Sequence, residues 1–168
     1  MKIAAGIILI VAAIMNIFGG SKFVLTGGAA TVGAMAADAL NEEAAKQGIE
    51  VDEAAKAQLK EGTGELKTLG TGHLVFGLFL WVMFVMQIVG AVFLFISKSK
   101  MFIFIVAVLS VLAEVGSMVL TPDFLGGGFG WTNIFGLLGG VLAFVAAMSI
   151  GKAAAPAAPA APDAPAAA

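Results

Sequence analysis

The 168-residue chain has no cysteine and no arginine, and only one histidine. Without cysteine there can be no disulfide, thiolate metal site, iron–sulfur cluster or cysteine nucleophile. A lone His73 rules out a multi-histidine metal centre or bis-histidine haem ligation within one chain. All nine basic residues are lysine, so the guanidinium fork that grips phosphate or carboxylate with two parallel bonds is missing. A net charge of −2 leaves no electrostatic footprint for nucleic acid. Charged residues make up 12% of the chain, against about a quarter in soluble domains.

Apolar surface is what the chain has in excess. It is 60% hydrophobic, with a mean hydropathy of +1.03, more than one small water-soluble core can hide. Crossing a hydrocarbon core takes about 20 apolar residues, and four runs qualify, at 3–20, 73–96, 101–120 and 129–150. They divide the chain into a first span (1–20), a polar segment (21–72), three further spans (73–97, 101–120 and 129–150) and a tail (151–168). Short turns between the last three predict an all-α membrane protein, an antiparallel bundle of four transmembrane helices with a short helical extracytoplasmic segment between helices 1 and 2.

Lys2, Lys98, Lys100 and Lys152 fall on one side of these spans, which by the excess of lysine in cytoplasmic loops puts both termini in the cytoplasm. The Ala34-Met35-Ala36 triplet imitates a leader-cleavage site. Such a leader would be 36 residues long and would contain Lys22, so an uncleaved anchor is the expectation. The segment 21–72 holds five lysines and eight acids. Residues 38–47 and 52–61 read as two short helices broken at Gly48, with Glu42–Lys46 and Asp52–Lys56 as acid-to-base pairs four apart. Leu40 with Ala44, and Val51 with Ala55 and Leu59, make narrow apolar stripes. Residues 23–37 read as an extension of the first helix or as an interfacial segment, and the whole as a cap over the outer mouth of the bundle. In the tail Pro156, Pro159, Pro162 and Pro165 recur every third residue, the polyproline II period, and no packed core can form there.

Polar groups inside a membrane are costly and functional by default. Glu114 is the one ionisable side chain well inside a span, about 9 Å from its outer end at 1.5 Å per residue. Ser110 and Ser117 share its helix face. Asn16 and Asn133 sit at similar depth on the first and fourth helices, so an intramembrane polar cluster of Asn16, Ser110, Glu114, Ser117 and Asn133 is expected, without the deeper Gln87. Its carboxyl could handle protons or a cation. The alternative is a protonated Glu114 that bonds across helices and fixes their register. Gly136, Gly140, Ala143 and Ala147 form a small-residue packing seam on the fourth helix, matched by Ala5, Ala12, Asn16 and Gly19 on the first. Phe76, Phe79, Trp81, Phe84, Phe93, Phe95, Phe102 and Phe104 suit lipid contact or bundle filling better than a pigment or quinone site, because no convergent polar group accompanies them. Trp131 fits an interfacial belt, and His73 opens the second span as an interfacial hydrogen-bonder.

The run 125–130 is rich in glycine but lacks the Lys-Ser/Thr of a phosphate loop. No nucleophile–base pair occurs in the spans, so no enzyme, cofactor or metal is expected. One separated span, a polar outer segment, the turn Ser97-Lys98-Ser99-Lys100 and the glycine-rich entry to the last span (Gly126 to Gly140) together resemble small bacterial four-span proteins of a tetraspan domain-of-unknown-function type. That resemblance implies the bacterial cytoplasmic membrane and supplies no catalytic residues. Rotor-ring proteolipids differ, since the second span here holds only Gly77 and Gly90 in place of their glycine repeat. The expected function is a non-enzymatic accessory or assembly subunit, with the bilayer and other membrane subunits or further copies as partners. The alternatives are proton or cation handling at Glu114, or envelope sensing through the outer segment.

Overall fold

The computed structural model describes residues 1–49, 52–120 and 131–150. The glycine-rich turn, the tail, Lys152, Val51 and the side chain of Trp131 lie outside the described residues. Within these are four helices, α1 (Lys2–Lys46), α2 (Glu53–Phe95), α3 (Lys100–Leu120) and α4 (Trp131–Ser149), and no strand. α1, α2 and α3 are each long and apolar enough to cross a membrane, and the apolar part of α4, Asn133–Ser149, is shorter.

The first helix does not stop at Gly20. α1 runs unbroken for 45 residues and α2 for 43, against 21 for α3. At 1.5 Å per residue, that is about 68 Å for α1 and about 32 Å for α3. The two short helices expected at 38–47 and 52–61 are the far ends of α1 and α2, and 21–72 is no cap folded over a bundle mouth. It is the continuation of both helices as an antiparallel hairpin. The break does fall at Gly48, whose φ of +68° closes α1 in a Schellman turn. There the Gly48 N–H donates to the Ala45 carbonyl at 3.2 Å and the Ile49 N–H to that of Ala44 at 3.1 Å.

A row of small residues at seven-residue spacing keeps α1 and α2 together. α1 buries Gly6, Ala13, Gly20, Gly27 and Ala34, and α2 buries Thr63, Gly70 and Gly77. A strict repeat of seven holds the contact on one face along both helices. Gly27 meets Gly70 and Gly20 meets Gly77. A Cβ on Gly27 would lie 2.6 Å from the Gly70 carbonyl oxygen, and one on Gly77 2.8 Å from that of Gly20. Such close approach offsets the roughly 1 kcal/mol that each interior glycine costs a helix.

Surface charges follow the hairpin. Lys46 pairs with Glu42 at 3.0 Å, and Lys67 crosses to Asp38. Lys56 pairs with Glu53 at 3.0 Å rather than with Asp52. Asp52 is the N-cap, with an extended ψ of 137°, and its carbonyl accepts from the Lys56 N–H at 2.9 Å.

α2 also packs on α3, α3 on α4, and α4 on α1, while α1 and α3 stand diagonally apart. One apolar cluster, near the Lys2 end, gathers Ala5, Leu9, Leu94, Ile103, Val106 and Ala143. A second, at the other ends of α3 and α4, joins Phe23, Leu80, Met83 and Ala113, with Phe76 and Leu120 against it. Among the described residues, only those of α1 and α2 continue past this second cluster. Lys2 Nζ donates to Ser97 Oγ at 3.0 Å, gathering lysines at the opposite end.

Candidate functional site

Between the two apolar clusters lies a layer of buried polar side chains, Asn16, Gln87, Ser110, Glu114 and Asn133. It is built as two linked sets. Asn16 Nδ2 donates to Gln87 Oε1 at 2.9 Å, and Gln87 Nε2 donates to Ser110 Oγ at 2.8 Å, tying α1 to α2 to α3. One turn along α3, the Glu114 carboxyl accepts from Asn133 Nδ2 through Oε2 at 2.9 Å. Asn133 Nδ2 also reaches Ser117 Oγ at 2.7 Å, and the Ser117 hydroxyl donates to the Glu114 carbonyl at 2.8 Å. The second set therefore ties α3 to α4.

The expected set is thus divided. Glu114, Ser117 and Asn133 come together as anticipated. Asn16, however, bonds not to them but to Gln87, which was expected to stand aside and is instead fully buried at the centre of the layer. The reason lies in side-chain direction. Cβ atoms lean toward a helix's own N-terminus. α1 and α2 are antiparallel, so Asn16 leans toward the Lys2 end and Gln87 away from it, and the two meet across a depth difference that residue counting treats as separation.

α4 fits this layer through its small residues. A Cβ on Gly136 would fall on the Glu114 carboxyl, so the carboxyl occupies the room the glycine leaves. A Cβ on Gly140 would lie 2.9 Å from Val111 Cγ2 and 3.0 Å from the Ala107 carbonyl. Ala143 and Ala147 are fully buried in the apolar cluster below. Toward α1, α4 presents Gly139, where an added Cβ would lie 3.5 Å from Ala12 and Ile8, and α1 also shares the apolar cluster with Ala143 and Ala147. Gly19, expected on that face, points instead toward Leu80 of α2.

His73 does not open α2. It lies well inside that helix and is buried, with Nδ1 at 2.7 Å from the Leu69 carbonyl and its ring 5.3 Å from that of Phe23. The rings fill space against one another, Phe23 on Phe76 at 4.9 Å, Phe93 on Phe102 at 5.2 Å and Phe104 on Phe144 at 4.9 Å. A groove of about 260 Å³ between α3 and α4, bordered by Val108, Val111, Gly140 and Phe144, is lined by apolar residues and glycine. It offers no group that would orient a pigment or quinone. Among the described residues no three His, Asp or Glu side chains converge as metal ligands.

The glycine pairs of the α1–α2 seam were missed in the sequence because Gly27 and Gly70 lie outside the expected spans. The seven-residue spacing of Gly6, Ala13, Gly20, Gly27 and Ala34 is the signal that finds them. Comparison with protein-family models, with curated proteins and with solved structures finds no match to this chain.

Proposed function

We propose that this chain is a four-span, non-enzymatic membrane protein that serves as an assembly subunit, docking other protein through the α1–α2 hairpin. The observation that carries this reading is the hairpin itself. It runs past the ends of α3 and α4, and its α1 side exposes Leu25, Val32, Met35 and Leu40. Counted from Lys2, Val32 lies about 45 Å along the helix and Leu40 about 57 Å, beyond a hydrocarbon core about 30 Å thick. Large apolar side chains that neither the bundle nor lipid covers mark an interaction surface. Lys2, Lys98 and Lys100 at the opposite end suit the cytoplasmic face of a bacterial inner membrane, with the hairpin outside.

On this reading the polar layer is structural. Glu114, Asn133, Gln87 and Asn16 spend their bonds joining four helices. Toward the Lys2 end they are followed by an apolar cluster, Ala5, Leu9, Leu94, Ile103 and Val106, and among the described residues no buried polar side chain lies there to pass a proton onward. Val32→Glu with Leu40→Glu changes only outward positions. The variant should stay folded yet lose the high-mass species that the unsubstituted protein forms in native membrane discs. A single unassembled chain in those discs overturns the proposal. In proteoliposomes, ion flux abolished by Glu114→Gln would replace it with proton or cation handling.

A further inference from the structure

We infer that the uncovered face of α1 is an interface between two copies of this chain, each pairing its α1 with the other's in parallel. The inference rests on the docking reading above and names the partner. α1 carries two seven-residue rows. The inner one, Gly6 to Ala34, is taken up by α2. The outer one, Phe18, Leu25, Val32 and Ala39, is exposed throughout, with exposed Ala29 and Ala36 between its members. At about 100° per residue the two rows lie on opposite sides of the helix. A sustained heptad row of alternating large and small residues is the pattern by which one helix seats another.

A second copy meets the requirements of this face without further assumption. Copies inserted in the same membrane share direction and depth, so Leu25 of each lies level with Leu25 of the other and Val32 with Val32. Between Lys22 and Glu43 the row contains no charge. At its far end the seven-residue step from Ala39 reaches Lys46, which pairs with Glu42 of its own helix at 3.0 Å, so the apolar pairing stretch ends at Ala39. The size also fits. From Ile3 to Ala39 the helix is about 54 Å long, and a contact strip about 10–12 Å wide offers about 540–650 Å² per copy, at the lower end of the roughly 600–1,000 Å² per partner of a stable interface. The exposed membrane part of the same side, with Ile7, Ile14 and Phe18, is needed to reach that area.

The absence of cysteine makes the test clean. Leu25→Cys, Val32→Cys and Ala39→Cys are introduced singly, oxidised in native membranes and read on non-reducing gels, with Glu61→Cys and Thr68→Cys on α2 as comparisons. The expected result is a product of twice the chain mass, formed several-fold more at the three α1 positions than at the two on α2. Equal yields everywhere, or no product at the α1 positions, overturn the pairing. A product of another mass at 25, 32 and 39 also overturns it and leaves the docking reading standing. A chain that is monomeric by native mass in the same membranes removes both.

Discussion

At Gly136 a missing side chain and a carboxyl occupy the same space, so the two positions are energetically one. Gly136→Ala should destabilise the protein by about 1–3 kcal/mol, the usual cost of overpacking. In a Glu114→Ala background the same change should cost much less, a coupling that a double-mutant cycle of unfolding in mixed micelles reads directly. Glu114→Gln keeps a hydrogen-bond acceptor of the same shape for Asn133 and should alter stability little. Gln87→Leu removes both bonds that join α1, α2 and α3, and should cost about 1–3 kcal/mol, since interhelical bonds in membranes are worth about 0.6 on average and at most about 1.7 each. Glu114 was legible from its isolation among apolar residues, and Asn133 from its depth. Gln87 was not, because depth along a chain ignores the direction in which a side chain leans.

For the helix pair, the decisive residues are the glycines that face each other. Gly27→Ala puts a Cβ 2.6 Å from the Gly70 carbonyl, a backbone atom that cannot rotate away. This change should force the helices apart and lower the unfolding free energy by about 1–3 kcal/mol. Gly33 and Gly64 have no heavy atom within 4 Å of the added Cβ. Gly33→Ala and Gly64→Ala should instead stabilise by about 0.5–1 kcal/mol each, through helix propensity alone. A protein in which all these changes act alike would have no such seam. The turn at Gly48 could be read from sequence because glycine, flanking charge and broken periodicity coincide there. The unbroken course of α1 past Gly20 could not, because the hydropathy drop marks where the surroundings change, and the helix continues through that change by packing on α2.

Over the whole molecule, composition established the helical, membrane-like character, and periodicity added where the helices touch. The candidate spans end near where α3 and α4 end, yet α1 and α2 go on together, which turns a supposed loop into a long two-helix arm. The account stands on that arm being continuous and clear of the membrane. The most direct test is the distance between spin labels at Ile3→Cys and Lys46→Cys in lipid nanodiscs, by pulsed electron resonance. An unbroken α1 predicts about 65 Å at 1.5 Å per residue. A distance near the roughly 30 Å of the hydrocarbon core would mean that the segment folds back over the bundle, and would contradict the account.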